Sequence, residues 1–221
     1  MEIERHKQIG IGVNNTKYEF TAETIFIQDA CGGIHTLHRI RAIKDSDKVK
    51  KGDFGGFIEK EDNLDSNSSA WVSDNAQVYN NAWISGNAKI SGNAQVCGNA
   101  KVIDNAWASG SAKVFDDAEV SGNAWASSNS QVYGNAKVSD YAWIYDNAKV
   151  FDDAKIYGNA KISGKSAVYG NAQVYDNASV KEHAQVLGHS TINGNSVICG
   201  NDYMENGIII FDSRAKKYFR E

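Results

Sequence analysis

The chain has 221 residues, with 23 lysines and arginines against 27 aspartates and glutamates, so its formal net charge is −4. Charges of both signs are spread evenly, and all nine bases of residues 67–201 are lysine. This balance excludes a basic nucleic-acid-binding arm. The repeat region also lacks arginine, whose guanidinium group makes paired hydrogen bonds to phosphate and guanine.

Residues 1–66 are predicted to form a small β-rich unit. Three stretches rich in β-branched and aromatic residues predict short strands, and Gly32-Gly33 is a suitable hairpin turn. A solenoid leaves an open sheet edge at each end, and this unit is expected to cover the first one as an N-terminal cap. The predicted strands lie at residues 18–20, 24–27 and 36–43.

From Ala70 to Asn201, one position in every six is small, without insertion or deletion, which makes 22 hexads in one phase. An aliphatic residue follows two positions later, as in Ala76-Gln77-Val78, and the hexad usually closes with Gly or Asp and then Asn. Strand alternation turns the small and the aliphatic residue inward. The closing pair makes a corner, where the asparagines are expected to supply positive φ and ladder hydrogen bonds.

Fixed self-similarity of this kind predicts a stacked repeat protein. Three strands and three corners make a triangular coil, so 22 hexads predict about seven coils and a prism roughly 34 Å long. The apolar run that opens with Ile208 is suited to covering the second end. The predicted domains are an N-terminal cap at residues 1–66, a β-helix at 67–201 and a C-terminal cap at 202–221.

The hexads resemble the left-handed parallel β-helix of hexapeptide-repeat proteins, in which a small residue follows the aliphatic one by four positions. Val78 with Ala82 and Ile90 with Ala94 match this pattern. The resemblance implies an all-β triangular solenoid with left-handed coils, assembled as a homotrimer with parallel axes. Residues 37–42 and 51–56 and the Tyr-Gly-Asn-Ala repeats are more similar to bacterial and phage-encoded hexapeptide proteins of unassigned activity.

Outward positions that recur every 18 residues form columns of aromatic side chains. Like residues on successive coils stack whatever their function, yet soluble monomers seldom expose a long aromatic stripe. The columns are therefore either stacking ladders or contact surfaces, and the tryptophan column is the first choice for a trimer interface. The tryptophan column is Trp71, Trp107, Trp125 and Trp143. The second column is Tyr79, Phe115, Tyr133, Phe151 and Tyr169.

Catalysis would need a general base, and the resemblance implies a histidine beside an inserted loop. The cap offers His35 and His38, whereas His183 and His189 replace asparagine at corners, which predicts a turn role. No loop interrupts residues 70–201, which disfavours acceptor and coenzyme pockets. The acidic pairs of the repeat do not converge, so neither a metal site nor a cofactor is predicted.

These observations favour a non-enzymatic binding protein. The resemblance suggests a phage or prophage origin, with aromatic faces of a trimer binding a host protein or sequestering a small nucleotide-like ligand against host defence. A CoA-dependent acyltransferase and a polymer-forming structural solenoid are the alternatives. Three cysteines without a CxxC pair, and no leader or membrane span, predict a cytoplasmic protein, in the host cytoplasm if phage-encoded. Neither nucleic acid nor a membrane is a predicted partner.

Overall fold

Every hexad of the repeat forms one short strand and one corner in the computed structural model, which describes residues 15–29 and 32–210, and side chains up to residue 207. Longer strands stand at both ends, and a single 3₁₀ turn follows the first three strands. In chain order the elements are β1 (Tyr18–Gln28), β2 (Ile34–Ala42), β3 (Phe54–Ile58), the 3₁₀ turn (Glu61–Asn63), β4 (Trp71–Val72), β5 (Gln77–Val78), β6 (Trp83–Ile84), β7 (Lys89–Ile90), β8 (Gln95–Val96), β9 (Lys101–Val102), β10 (Trp107–Ala108), β11 (Lys113–Val114), β12 (Glu119–Val120), β13 (Trp125–Ala126), β14 (Gln131–Val132), β15 (Lys137–Val138), β16 (Trp143–Ile144), β17 (Lys149–Val150), β18 (Lys155–Ile156), β19 (Lys161–Ile162), β20 (Ala167–Val168), β21 (Gln173–Val174), β22 (Ser179–Val180), β23 (Gln185–Leu187), β24 (Thr191–Ile192), β25 (Val197–Ile198), β26 (Tyr203–Glu205) and β27 (Ile208–Ile210).

Strands one coil apart pair in parallel and build three sheets. Sheet A takes every third strand from β5 to β23, sheet B those from β6 to β24, and sheet C those from β4 to β25. Equivalent hexad positions face each other, as Val114 and Val132 do. No α-helix occurs within residues 15–29 and 32–210. The chain is thus an all-β parallel solenoid, as predicted, and the left hand of its coils stays a prediction.

The solenoid has about eight turns, one more than the hexads predict, because its first coil precedes the repeat. Ile58 of β3 pairs with Val78, and Leu64 forms an isolated bridge with Ile84. Both pairs join residues 20 positions apart rather than 18. Two additional residues therefore lie between Leu64 and β4. They put the first coil out of phase with the hexads, so the six-residue spacing does not predict it.

The interior is a single column of small and aliphatic side chains. The inward alanines and the valines and isoleucines of the strands are almost all fully buried, and they form one continuous cluster along the prism. Burying one such aliphatic side chain contributes roughly 1.5–3 kcal/mol. The small residue of each hexad, alanine or serine, keeps the prism narrow next to the corner.

The corners put positive φ on the fifth residue of each hexad and not on the asparagine that follows. All 22 hexads have this conformation, with φ between 56° and 69°, and glycine is its commonest occupant. The expectation that the asparagines adopt it is wrong. Their ladder role is confirmed, since Asn87 Nδ2 donates to Asn105 Oδ1 at 2.9 Å and Asn159 Nδ2 to Asn177 Oδ1 at 3.2 Å.

Glycine and aspartate alternate strictly along the corner between sheets B and C. A Cβ on Gly122 would lie 2.8 Å from the backbone nitrogen of Asp140 in the next coil, so a side chain there would force the two coils to shift. Asp140 has φ of 58°, and its Oδ2 accepts the backbone N–H of Gly158 at 2.9 Å. The hydrogen bond that the Asp140 carboxylate accepts from the next coil thus offsets the cost of the positive φ at Asp140. The alternating column is Gly86, Asp104, Gly122, Asp140, Gly158, Asp176 and Gly194.

The N-terminal hairpin packs against the first coil at one end of the core. Strands β1 and β2 pair antiparallel, and β2 continues sheet A through β3. Tyr18, Ile40 and Ala42 are buried against the first coil, and the Tyr18 hydroxyl donates to the Leu64 carbonyl at 3.3 Å. The buried Asn63 amide donates to two carbonyls of the next coil. The two strands predicted at residues 18–20 and 24–27 are one strand with an irregularity between them.

At the second end, sheet A continues into a tight hairpin. Strand β26 pairs in parallel with β23 and antiparallel with β27, and Met204 is buried in the core cluster. Asn206 and Gly207 both have positive φ, as a two-residue hairpin turn requires. Residues 211–221 of the predicted C-terminal cap lie outside the described residues.

Replacing Gly122 by Ala is expected to lower the free energy of unfolding by about 1–3 kcal/mol, since the new Cβ meets the Asp140 backbone at a positive φ. Asp140→Gly is the matched control: it loses one hydrogen bond but relieves the same backbone strain, so a change under about 1 kcal/mol is expected. Urea unfolding of both variants measures the difference. An unchanged midpoint for Gly122→Ala would show that the corners do not limit stability.

Candidate functional site

Three tryptophans form a continuous stack on the outer face of sheet C. The Trp107 and Trp125 ring centroids lie 4.7 Å apart with planes inclined by 2°, and those of Trp125 and Trp143 lie 5.0 Å apart at 13°. Parallel register places these residues at equivalent positions of β10, β13 and β16. The spacing of the coils therefore sets the spacing of the rings.

A lysine lies at each end of the stack. The Lys89 Nζ is 4.5 Å from the Trp107 ring centroid, and the Lys161 Nζ is 5.7 Å from that of Trp143. An ammonium group over an indole face is attracted by the quadrupole of the ring. Trp125 has a tryptophan on each side, so every ring of the stack has a partner over both faces.

Trp71, the fourth predicted member of the tryptophan column, differs from the others. It shares their register, but Lys89 separates it from Trp107, and only 6% of its surface is exposed. Trp71 packs in the core cluster near the N-terminal end. The solvent-accessible part of the column therefore begins at Trp107: Trp107 and Trp125 are half-buried, and Trp143 is 40% exposed.

Two tyrosines that were not selected from the sequence lie close to Trp143 in the chain. Tyr141 takes the corner place of asparagine, between Asn123 and Asn159, and 62% of its surface is exposed. Tyr145 follows the aliphatic residue of the same strand, and its ring meets Trp143 edge-on at 6.3 Å. The signal was present as departures from the asparagine and serine usual at these places. We call Trp107, Trp125, Tyr141, Trp143 and Tyr145 the tryptophan face.

The second aromatic column lies beside sheet A and is more fully explained by stacking. Phe115, Tyr133, Phe151 and Tyr169 stack with centroids 4.7–4.8 Å apart and planes within 5° of parallel. Pairs of this kind stabilise a sheet by roughly 0.5–1.5 kcal/mol each beyond their burial. None of these four rings is among the strongly exposed large side chains.

Tyr79, the first predicted member of that column, belongs to a small core under the N-terminal hairpin. It is 7% exposed and packs with Leu37 and Phe57, against which Cys97 also lies. Burial raises the pKa of the Tyr79 hydroxyl and of the Cys97 thiol. Both groups therefore stay protonated near neutral pH, and Cys97 is not an activated thiol.

His35 is held between two carboxylates. Its Nδ1 lies 2.9 Å from Glu59 Oε1 and its Nε2 lies 3.0 Å from Asp29 Oδ2. The other oxygen of Glu59 accepts the backbone N–H of Asn80 at 2.6 Å, which joins the hairpin to the solenoid. Hydrogen bonds to Asp29 and Glu59 raise the pKa of His35, because both carboxylates stabilise the imidazolium. An imidazolium with both nitrogens engaged is a structural clamp and a poor general base.

The other histidine candidates are separate from His35. His38 contacts the Phe20 ring at 5.3 Å, and strand alternation places it on the opposite face of β2 from His35. His183 and His189 are both exposed and occupy successive corners near the C-terminal end of the repeat. The described residues contain no group of three or more histidines, cysteines, aspartates or glutamates suited to a metal ion. Nor does any helix within residues 15–29 and 32–210 have the length and apolar character to cross a bilayer.

Comparisons with known proteins address the repeat. Residues 94–110 match a model of the YdcK β-solenoid repeat. The match covers less than one coil and agrees with the six-residue repeat and the parallel sheets of the solenoid. A comparison with curated proteins found no match.

The solved structures that align with the chain include two of the acetyltransferase domain of PglB from Neisseria gonorrhoeae FA1090. The first has 15% identity over 54% of this chain and a TM-score of 0.31. The second, in complex with acetyl coenzyme A, has 15% identity over 51% and a TM-score of 0.34. The alignments span 54% of each of those chains, about half of their length.

The clamp predicts how the hairpin responds to pH. A folded-state pKa above the usual 6.5 means that His35 contributes stability fully below about pH 6.5 and loses it as pH rises through the folded pKa. An NMR titration of the His35 ring should therefore have its midpoint above 6.5, and His35→Gln should remove this part of the pH dependence of the melting temperature. His38→Gln is the control. A His35 midpoint at or below 6.5 would contradict the clamp.

Proposed function

We propose that this chain is a non-enzymatic binding protein, and that the tryptophan face associates with protein, first with further copies of the chain in a homotrimer. The observation that supports the proposal is an exposed aromatic face on an otherwise regular solenoid. Trp143 is 40% and Tyr141 62% exposed in the single chain. Tryptophan and tyrosine are the residues that most often dominate binding energy at interfaces.

Stacking alone does not explain this face. Cross-strand pairs account for the alignment of Trp107, Trp125 and Trp143. They do not account for Tyr141, because the asparagine it replaces would continue a hydrogen-bonded ladder that stabilises the corner. An exposed tyrosine at that place forgoes ladder bonds and leaves an aromatic ring in water, which is expected where a partner covers it.

The geometry favours a protein partner over a stacking ligand. A nucleobase binds an aromatic side chain through a free ring face. In the stack of Trp107, Trp125 and Trp143 those faces are taken by neighbouring rings or by the ammonium groups of Lys89 and Lys161. What remains open is the row of ring edges, which suits packing against side chains of another protein.

An enzymatic role has less support. His35 is engaged at both nitrogens, and residues 70–201 form strands and corners without an inserted loop. An acyltransferase would need a base with an open nitrogen next to an acceptor pocket.

If the trimer forms through sheet C, the outer face of sheet B stays open for a host protein. On that face Trp83 is 40% exposed, and the Tyr157 and Tyr175 rings are stacked 4.8 Å apart.

Replacing Trp107, Trp125 and Trp143 together by alanine is expected to convert a trimer into a monomer. Interface tryptophans commonly contribute 2 kcal/mol or more each, so losing three should raise the dissociation constant by several orders of magnitude. Sedimentation velocity measures the mass, and circular dichroism checks the fold. The matched control replaces Phe115, Tyr133 and Phe151, which stack equally well on another face and should leave the trimer intact. A wild-type monomer, or a triple tryptophan variant that stays trimeric, would refute this use of the face.

A further inference from the structure

A cleft at the N-terminal end of the solenoid lies where the repeat spacing is broken. The two additional residues between Leu64 and β4 lengthen the turn there, which forms one wall of the cleft. The connection from β2 to β3 forms the opposite wall. Polar groups and lysines predominate in its lining. The cleft is lined by Thr16, Lys17, Lys44, Ser46, Ser66, Asn67, Ser68, Ser69, Ala70 and Trp71.

Lys17 is the unusual residue of this cleft. Only 8% of its surface is exposed, yet it makes no ion pair among the described residues. Its Nζ donates one hydrogen bond, at 2.9 Å, to the neutral backbone carbonyl of Asp65. An ammonium carries three donors, so two remain. The Asp65 carboxylate instead accepts the backbone N–H of Asn67 at 2.9 Å.

Two further lysines bring positive charge to the same end of the molecule. Lys44 Nζ lies 3.4 Å from the Thr16 hydroxyl, and Lys48 Nζ donates to the carbonyls of Ser69 at 2.8 Å and Asn87 at 2.7 Å. Burial, and then the charges of Lys48 and Lys44, lower the pKa of Lys17 to about 8, although Asp65 acts in the opposite direction. A buried ammonium without a counter-ion is costly, and a bound anion would remove that cost.

We propose that this cleft binds a phosphate-sized oxyanion, with Lys17 as the buried cation, Lys44 as a second cation at the rim and the Ser66 and Ser69 hydroxyls as further donors. The anion is either free or the terminal group of a larger molecule. Its donors come from the segment before β1, from the β2–β3 connection and from the widened turn before β4. Several donors from separate segments lining one cleft suit an oxyanion, which accepts hydrogen bonds on every side. This site is independent of the tryptophan face.

The test measures the melting temperature in inorganic phosphate against chloride at equal ionic strength. A ligand that binds only the folded state raises this temperature with concentration. Wild-type protein is expected to show a phosphate-specific rise, and Lys17→Met should weaken the apparent affinity at least tenfold. Lys44→Met should weaken it several-fold, and it carries the test if Lys17→Met does not fold. Lys101→Met, on the outer face of sheet B, is the control and should match wild type.

A pH series separates Lys17 from general anion effects. Phosphate gains negative charge as pH rises, whereas Lys17 loses its proton near pH 8, so phosphate binding should weaken between pH 7 and pH 9.5 in wild type only. Inorganic phosphate and phenyl phosphate, titrated in parallel, identify whether a free ion or a phosphomonoester fits better. An equal phosphate response in wild type and Lys17→Met, or no phosphate-specific response in wild type, would overturn the proposal.

Discussion

The corner that recurs every six residues is the constraint from which the rest of the molecule follows. Each corner requires one residue with positive φ, and successive corners stack so closely that a Cβ on Gly122 would meet the Asp140 backbone at 2.8 Å. At the corner between sheets B and C, aspartate occupies the alternate places because its carboxylate accepts the glycine N–H one coil later, as Asp104 Oδ2 does from Gly122 at 3.1 Å. Adjacent coils are thereby held in one register along the whole prism.

Because the coils share one register, equivalent outward side chains of successive coils form columns along each sheet. Lysine and glutamate produce an ordinary solvated face on sheet B, whereas tryptophan produces a stack whose rings are about one strand spacing apart. The lysines at both ends occupy the last ring faces, so the stack offers edges to its surroundings. A solenoid of this kind interacts through patterned surfaces, and the cleft before β4 arises where the six-residue spacing fails.

The repeat could be predicted from the sequence because six-residue spacing determines the core and 18-residue spacing determines which side chains are neighbours. The N-terminal end could not, because Ile58 and Leu64 join the first coil through 20-residue offsets that the hexad does not contain. The clamp on His35 depends on Asp29 and Glu59, which come from separate segments. The sequence showed Tyr141 only as a departure from asparagine, and its significance depends on the asparagine hydrogen-bond ladder that the structure shows. Lys17 could not be selected from the sequence either, because only the structure shows that it is buried without an ion pair among the described residues.

Trp83 and Trp143 permit the most direct test of the central claim, that the tryptophan face is covered by protein in solution. Each is 40% exposed in the single chain, but Trp83 lies on sheet B and Trp143 on sheet C. Fluorine NMR of 5-fluorotryptophan-labelled protein, compared in H₂O and D₂O, reports the solvent exposure of each ring separately. The account predicts a clear solvent isotope shift for Trp83 and almost none for Trp143. Equal shifts at the two positions would contradict it.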